Sequence, residues 1–296
     1  MEHISVLPNE VLGLLDPKPG HIVVDCTFGA GGHSCQLCKA VGVAGAVFGI
    51  DTDRDALERA RGNSCFKHCS FTPIHGNFRH LAELLGQHSI SHVDRILMDL
   101  GLSSNQLDDS GRGFSFMRDE PLVMTLSDEF SESVTAYDVV NDWEEENLAD
   151  IIFGFSDERF ARRIARCIVE RRKEKAIEST QELAEIIIAA IPARLRRGRI
   201  HPATRTFQAI RMAVNDEVNA LKEAIPKAWH ALKPDGRLAI ISFHSLEDRI
   251  VKNFFRDWDR EGVGQLITKK PVVPAPAEIS DNARSRSAKL RVIRKI

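Results

Sequence analysis

Two aspartates and a glycine-rich loop lie at the spacing that open α/β proteins use to bind nucleotide-like ligands. Asp25 ends an apolar run and precedes the loop Gly29-Ala30-Gly31-Gly32-His33, and Asp51 ends the next apolar run. Glycines let the backbone approach a ligand closely. A carboxylate about 20 residues after such a loop can accept hydrogen bonds from both hydroxyls of a ribose. The pattern therefore predicts a site for a ligand that contains a nucleoside.

The spacing of the glycines distinguishes between two such ligands. A dinucleotide fold carries G-x-G-x-x-G, whereas this loop reads G-x-G-G from Gly29 to Gly32. Asp25 places a negative charge where a dinucleotide fold would bind a pyrophosphate, but where a methyltransferase would bind the ammonium group of methionine. These residues favour S-adenosyl-L-methionine as the cofactor, with a dinucleotide as the alternative.

Two further strand ends add residues to the predicted site. Phe78 follows the third apolar run and could stack on an adenine, although a phenylalanine there could equally belong to the core. Asp99 ends the fourth apolar run, and residues 100–106 follow it at the position that would face the transferred methyl group. We expect the chemistry to centre on Asp99 and this segment.

Strands and helices are predicted to alternate in the first third of the chain. The four apolar runs are residues 21–28, 45–51, 71–77 and 94–101. Strands that alternate with helices at this spacing predict βαβ units and a parallel sheet that is covered on both faces.

The pattern becomes purely helical from about residue 108, with a capping box at Ser179-x-x-Glu182. Residues 204–232 are predicted as one long helix, 236–243 as a further buried strand, and 265–273 with 288–296 as a closing antiparallel hairpin. We therefore predict a Rossmann-like α/β fold with a mostly parallel sheet, formed by residues 1–107 and 205–296. Residues 108–204 are predicted to form an inserted all-helical domain for substrate recognition.

Composition is typical of a globular protein. The 296 residues are 43% hydrophobic and 28% charged, close to the averages for this class. No apolar run reaches the roughly 18 residues that a membrane helix needs, and the first twenty or so residues lack the layout of a signal peptide. We expect a cytoplasmic protein that does not contact a membrane.

The six cysteines are expected to be reduced thiols rather than a disulfide framework. Cys35-x2-Cys38 and Cys65-x3-Cys69, with His33 and His68 nearby, could be zinc ligands. Because Cys35 and Cys38 fall on the helix after the glycine loop, packing against the sheet is the favoured interpretation, and no metal site is predicted.

Positive charge is concentrated locally although the net charge is −2. Three basic segments occupy residues 159–175, 194–211 and 284–295, while residues 142–146 are acidic. A solvated helix face explains any one such cluster, but three of them favour a polarised surface that could bind a polyanion.

Long and distinctive motifs span nearly the whole chain. They include DCTFGAGGHS (25–34), GIDTDRDAL (49–57), MDLGLSSNQLD (98–108), HPATRTFQAIRMAVNDE (201–217), GRLAIISFHSLEDRIVK (236–252) and NARSRSAKLR (282–291). Together they resemble the bacterial 16S rRNA (cytosine-N4)-methyltransferase family known as MraW or RsmH. The resemblance implies a class I methyltransferase with an inserted helical domain. It also implies methylation of the N4 amine of a cytosine in the decoding region of 16S rRNA.

The resemblance implies cofactor contacts that match the site predicted from the residues. They are Gly31, Gly32, His33, Asp51, Phe78, Asp99 and Gln106, to which the residues themselves add Asp25 and Gly29. Two segments depart from the family pattern. Residues 121–127 read PLVMTLS where such proteins have a PLDMRMD-like run, and residues 154–158 read GFSDE where a GEE-like turn is usual. The first departure puts the shape of the target pocket in question.

A cytosine amine is a poor nucleophile, so catalysis needs in-line placement and acceptors for the amine hydrogens. The candidate catalytic residues are Asp99, Ser103, with Ser104 beside it, and His244, which could take the released proton. Each has an alternative: Asp99 could hold only the cofactor, Ser103 could shape a turn, and His244 could cap a helix or pair with Glu247 or Asp248.

Four arginines are candidates for contact with phosphates or bases of RNA, since a guanidinium binds phosphate in a fixed fork. They are Arg112, Arg205, Arg284 and Arg286, of which Arg205 could equally form an internal salt bridge. Phe114 and Phe116 could stack on an unstacked cytosine or belong to the core.

The expected partner is 16S rRNA, within the small ribosomal subunit, and the chain could be a monomer or a homodimer. The alternatives are a DNA or small-molecule N-methyltransferase and a non-catalytic RNA-binding ribosome assembly factor. Contacts to the 2′-hydroxyl would separate RNA from DNA.

Overall fold

The computed structural model describes residues 5–101, 110–126, 133–198 and 200–296, apart from the side chain of Arg61. Its strands are β1 (Ile22–Asp25), β2 (Ala46–Asp51), β3 (Ser70–His75), β4 (Val93–Asp99), β5 (Leu232–Ser242), β6 (Gly264–Leu266) and β7 (Lys289–Lys295). Its helices are α1 (Pro8–Leu15), α2 (Gly32–Val41), α3 (Arg54–Arg61), α4 (Leu81–Gln87), α5 (Ala136–Asp142), α6 (Glu145–Ser156), α7 (Ala161–Arg172), α8 (Thr180–Ala190), α9 (Thr204–Val214), α10 (Glu217–Ala231), α11 (Ser245–Arg260) and α12 (Pro276–Asp281). Short 3-10 helices cover Ser64–His68, Phe78–His80, Ala193–Leu195 and Ala283–Ser287.

The strands form one sheet in the order β3-β2-β1-β4-β5-β7-β6. The pairs from β3 to β5 are parallel, and β7 pairs antiparallel with both β5 and β6. The prediction of a mostly parallel α/β sheet is confirmed. The predicted antiparallel pairing at its end is present between β6 and β7, but β6 covers only Gly264–Leu266 of the predicted 265–273, and α12 lies between the two strands. Because β1 neighbours β4, the chain reverses direction across the sheet there, and this switch point is where open α/β sheets bind ligands.

Both faces of the sheet are covered because the central strands are apolar on both sides. Val23 and Val24 are fully buried and point to opposite faces. Val24 belongs to a core cluster with side chains of α4, α10 and α11, and Val23 belongs to one with side chains of α1, α2 and α3. The sheet is therefore a rigid base for residues at its carboxyl edge.

The chain divides into two compact units, one formed by Met1–Leu102 and Val218–Ile296 and the other by Ser103–Glu217. The first holds the sheet, and the second is helical in the part that is described. The predicted insertion ended at residue 204, whereas α9 lies in the second unit because it packs against α5 and α6. In that unit the hydroxyl of Ser179 accepts the Glu182 N–H, as predicted, but the Glu182 carboxylate accepts the N–H of Glu178 instead of Ser179.

The prediction of one helix over 204–232 is wrong, because α9 ends at Val214 and α10 begins at Glu217. Asp216 has a left-handed backbone with φ 47°, a conformation that aspartate tolerates better than most residues. The Asn215 side chain accepts the Leu126 N–H at 2.7 Å and donates to the Met124 carbonyl at 2.8 Å. The helix is interrupted where this amide binds a neighbouring segment.

Cys38 and Cys69 are joined by a disulfide, so the expectation that all six cysteines are reduced is contradicted for this pair. Cys26, Cys35, Cys65 and Cys167 are free thiols. The described residues hold no group of three or more side chains that could bind a metal ion. None of the described helices combines the length and apolar character required to cross a bilayer.

Candidate functional site

Asp25 lies beneath the glycine loop at the end of β1, with 1% of its surface exposed. Its Oδ1 accepts the Thr27 N–H at 3.2 Å, and its Oδ2 accepts the Ser34 hydroxyl at 2.6 Å. Burial raises the pKa of the carboxyl, although the hydrogen bond from Ser34 and the nearby His33 oppose that rise. Asp25 therefore ties the loop to the first turn of α2, and a direct contact to a ligand ammonium stays a prediction.

Asp51 joins the end of β2 to the same loop. Its Oδ2 accepts the Gly29 N–H at 2.6 Å, and its Oδ1 accepts the Asp53 N–H at 3.0 Å. Burial raises the pKa of Asp51 to about 6, although both backbone hydrogen bonds favour the charged form. The structure thus brings a half-buried carboxylate, poised to ionise near neutral pH, next to the loop that approaches the ligand.

His33 and Asp99 form a contact that joins α2 to the end of β4. The Nε2 of His33 lies 3.6 Å from the Oδ2 of Asp99, with side-chain exposures of 6% and 20%. Burial opposes the positive charge of His33, but Asp99, Asp25 and a backbone hydrogen bond with Val6 outweigh it and raise the pKa of the imidazole. The Asp99 backbone N–H donates to the Thr27 hydroxyl at 2.6 Å, which fixes the strand end against the loop.

Two buried polar atoms of this pair are left without a hydrogen bond in the described part of the chain. Within the described residues, the Nε2 of His33 and the Oδ1 of Asp99 have no hydrogen-bond partner. The 3.6 Å between the Nε2 of His33 and the Oδ2 of Asp99 is longer than a hydrogen bond allows. Buried polar atoms in proteins are normally paired. Their presence beside the glycine loop fits a polar ligand that would complete the bonding.

An aromatic wall that the sequence did not predict supports the loop at Gly31. This residue has φ +78°, and a Cβ built on it would lie 2.6 Å from Cζ of Phe28 and 3.1 Å from Cζ of Phe66. The Phe66 ring stacks on Phe71 at 4.0 Å and lies 5.9 Å from Phe28. Phe28 lies within the loop motif and could have been suspected, whereas Phe66 carries no sequence signal.

The other predicted cofactor residues lie along the same sheet edge, or outside the described part of the chain. Gly32 is the first residue of α2. Phe78 is half-buried, opens a 3-10 helix after β3 and packs against the core from that position. Ser103 and Gln106 lie outside the described residues, so their roles stay predictions.

His244 caps helix α11. Its Nδ1 accepts the Glu247 N–H at 3.4 Å, and its Nε2 lies 3.0 Å from the Glu247 Oε1. Glu247 is itself buried and accepts the Phe243 N–H at 2.8 Å. This is the capping and pairing role held open as the alternative to catalysis. Asp248 pairs instead with Arg291, at 2.7 Å.

The candidate RNA-binding arginines are divided between the two units. In the first, Arg284 and Arg286 are exposed on the 3-10 helix Ala283–Ser287. In the second, Arg112 donates to the Thr125 carbonyl at 3.3 Å, and Arg205 donates to the Asp157 carbonyl at 3.4 Å. The Nη1 of Arg205 also lies 3.8 Å from the Oε2 of Glu158, so the internal salt bridge considered for Arg205 is present.

The two phenylalanines proposed to stack on a base differ in their surroundings. Phe114 is 7% exposed and therefore belongs to the core. Phe116 is half-buried and stacks on His201 with ring centroids 4.4 Å apart. The Phe116 ring also meets Phe207 edge-on at 5.2 Å, and its stacking on a base stays a prediction.

The carboxyl edge of the sheet can accordingly hold a nucleoside-containing cation. It offers a backbone that approaches closely at Gly31, carboxylates at Asp51 and Asp99, and an aromatic side chain at Phe78. A negative edge of this kind suits a sulfonium and an ammonium better than it suits a pyrophosphate.

Comparison with known proteins gives a match over the full length. A family model described as "MraW methylase family" covers residues 1–296. A protein of Brevibacillus brevis named "Ribosomal RNA small subunit methyltransferase H" is 43% identical, over 99% of this chain and 98% of its own. A protein of the same name from Clostridium botulinum is 46% identical, over 100% of this chain and 99% of its own.

A solved structure of an rRNA methylase from Streptococcus thermophilus is only remotely similar. Its TM-score is 0.44 at 12% identity, over 98% of this chain and 93% of that chain.

Proposed function

This chain belongs to the MraW methylase family, and on that premise we propose that it methylates the N4 amine of a cytosine in the decoding region of 16S ribosomal RNA. Membership of a methylase family confirms the prediction of a methyltransferase with S-adenosylmethionine as its methyl donor. The names of the curated relatives supply the substrate class, small-subunit ribosomal RNA. The cytosine and the decoding region rest on the motif resemblance.

The observation that carries the proposal is the meeting of His33, Asp99 and the glycine loop at the switch point of the sheet. Asp51 would accept the ribose hydroxyls of the cofactor, Phe78 would contact its adenine, and the loop would approach its methionine portion. Once bound, S-adenosylmethionine supplies an electrophilic methyl group on a sulfonium.

Asp99 is the residue proposed to act on the target amine. Positive charge develops on N4 as the amine attacks, and a fixed carboxylate at that point lowers the barrier. The Oδ1 of Asp99, which has no described partner, would accept an amine hydrogen and then the released proton. The other oxygen, Oδ2, faces the Nε2 of His33 at 3.6 Å.

The target base must leave its stack to reach such a site, which favours RNA loops or a partly assembled small subunit over duplex. Exposed arginines of the second unit would contact phosphates of the RNA; on α7 these include Arg162, Arg163 and Arg166. Phosphate contacts position a nucleic acid without selecting its sequence. Base choice is therefore assigned to the residues around Asp99.

The proposal is tested by methyl transfer from radiolabelled S-adenosylmethionine to small ribosomal subunits that lack the modification, with free 16S rRNA and DNA alongside. Nucleoside analysis should recover the label as N4-methylcytidine from the ribosomal substrate. Label in DNA alone would replace the substrate by DNA. Cofactor binding without transfer to any of the three would support an RNA-binding assembly factor and would direct attention to the atypical residues 121–127.

The raised pKa of Asp51 predicts how cofactor affinity depends on pH. The folded-state pKa of about 6 exceeds the ordinary value of 3.8, so the carboxyl is protonated in the folded protein over a range where it would be ionised in the unfolded chain. Ribose hydroxyls donate to the ionised form. Affinity should therefore rise about tenfold per pH unit up to about pH 6 and then level off.

Titration calorimetry with S-adenosylhomocysteine between pH 5 and 8 checks this expectation, with Asp51→Asn as the control that removes the ionising group. A wild-type profile as flat as that of Asp51→Asn would contradict it.

The raised pKa of Asp51 also predicts that the unliganded fold loses stability as the pH rises from about 4 to about 6, since the folded state binds the extra proton there.

A second prediction separates capping from catalysis at His244. Asparagine is also a good helix N-cap, so His244→Asn should keep turnover within about threefold. His244→Ala should lower the free energy of unfolding by about 1 kcal/mol. A loss of turnover of about 100-fold in His244→Asn, with an unchanged melting temperature, would instead assign the proton-accepting role to His244.

A further inference from the structure

Four of the six cysteines meet where α2 packs against the short 3-10 helix Ser64–His68. Cys35 and Cys38 lie three residues apart and therefore on one face of α2. Cys38 is bonded to Cys69 with Cα atoms 5.2 Å apart. Cys35 and Cys65 lie at the same contact between the two elements and pack against one core cluster, and Cys35 is close enough to raise the pKa of Cys65. Both are half-buried free cysteines. The two elements thus face each other through two neighbouring cysteine pairs, one of which is already oxidised.

We propose that Cys35 and Cys65 are a site of thiol modification. Low-molecular-weight disulfides such as glutathione disulfide oxidise the two thiols to a second disulfide beside Cys38–Cys69. The Cys35 thiolate attacks one sulfur of the small disulfide, and a mixed disulfide forms as one small thiolate leaves. The Cys65 thiolate then attacks the Cys35 sulfur and releases the second small thiolate. Both protein thiols lose a proton, and the small disulfide is reduced to two thiols.

The surroundings of the pair set the order of these steps. Burial raises the pKa of Cys65 to about 12, and the hydrogen bond with Cys35 and the charge of Cys35 add to the rise, whereas Lys39 opposes it. The first attack is therefore assigned to Cys35 and the second to Cys65. Once the Cys35 sulfur is part of a mixed disulfide it carries no charge, so one cause of the raised pKa disappears and Cys65 ionises more readily.

The other two free cysteines are placed differently. Cys26 is 1% exposed in the core, and Cys167 lies on α7 in the other unit. Among the described residues there is no group of three or more side chains that could hold a metal ion, and the neighbouring Cys38 and Cys69 are joined to each other. Because Phe66 follows Cys65 and contacts the ring of Phe28, the second disulfide would tie the aromatic wall of the glycine loop to α2.

The test uses the full chain, reduced and then exposed to glutathione disulfide, blocked with N-ethylmaleimide in denaturant and mapped by mass spectrometry. Cleavage after Leu37 separates Cys35 from Cys38, and cleavage after Lys67 separates Cys65 from Cys69. We expect a Cys35–Cys65 linked peptide that dithiothreitol removes, with Cys167 alkylated. Cys65→Ser should stop at a glutathione adduct on Cys35, and Cys35→Ser should leave Cys65 alkylated. Cys167→Ser, the matched control, should behave as wild type.

Three results would overturn the proposal. In the first, Cys35 of the wild type stays alkylated after exposure to glutathione disulfide. In the second, Cys35 is found linked to Cys69 rather than to Cys65. In the third, protein purified without oxygen carries one zinc ion per chain that protects all four thiols from alkylation, which would make the cluster a metal site.

Discussion

Replacing Asp99 by asparagine should reduce the rate of methyl transfer by about 100- to 1,000-fold, the range expected when one preorganised charge is removed from a transition state. Asparagine keeps the shape of the side chain but accepts a proton poorly and carries no charge to stabilise a cationic amine. The loss should therefore fall mainly on kcat rather than on KM. Single-turnover transfer to small ribosomal subunits measures it directly.

The matched control for Asp99→Asn is Asp94→Asn. Asp94 lies on the same strand, near its opposite end, where it accepts the Ile22 N–H at 2.8 Å and pairs with Lys233 at 3.0 Å. This change should lower stability but leave turnover of the folded protein within about twofold. Retention of more than a tenth of the wild-type kcat in Asp99→Asn would remove Asp99 from the chemistry.

The same variant should also change the titration of His33. Asp99 is one of the groups that hold the pKa of this imidazole up against burial, so Asp99→Asn should lower it. Nuclear magnetic resonance of the histidine ring would report the shift. A loss of turnover without any change at His33 would mean that the two side chains are not coupled as their contact suggests.

Replacing Gly31 by alanine should weaken binding of S-adenosylhomocysteine by at least about 30-fold, which corresponds to about 2 kcal/mol. The new methyl group would lie 2.6 Å from the Phe28 ring at a residue with φ +78°, so the loop must shift to accept it. Because a loop shift alters the backbone that approaches the cofactor, affinity should fall together with the melting temperature. Calorimetric titration and thermal unfolding measure the two effects.

Gly20→Ala separates backbone strain from steric overlap. Gly20 has φ +85°, and a Cβ there would meet nothing within 4 Å. It should therefore lose about 1 kcal/mol of stability from strain alone and keep its affinity for the cofactor product. Equal losses of affinity in the two variants would show that the aromatic wall at Gly31 has no part in shaping the site.

The carboxyl edge of the sheet was predictable because its signals are local. The alternation of apolar runs and helical periods indicates βαβ units, and parallel strands bring their carboxyl ends to one edge. Asp51 and Asp99 could therefore be assigned to one site without knowledge of their contacts. The position of Asp25 was predicted in the same way, but its burial under the loop was not.

His244 shows where local signals end. The segment SFHSLEDR is compatible with a histidine that takes a proton and with a histidine that caps a helix. The two roles differ in whether Nδ1 accepts a hydrogen bond from the first turn of the helix. In the structure, Nδ1 accepts the Glu247 N–H. Arg205 illustrates the same limit, since its contact with Glu158 depends on how α9 packs against the connection between α6 and α7.

The sequence by itself determined the glycine loop, the strand and helix pattern and the family, because each depends on residue types close together in the chain or on motifs matched in order. Only the tertiary structure decided the contact between His33 and Asp99, the aromatic wall behind Gly31 and the pairing of Cys38 with Cys69. Each of these joins segments about 30 or more residues apart, and such contacts are set by how helices pack on the sheet, which residue spacing along the chain does not encode.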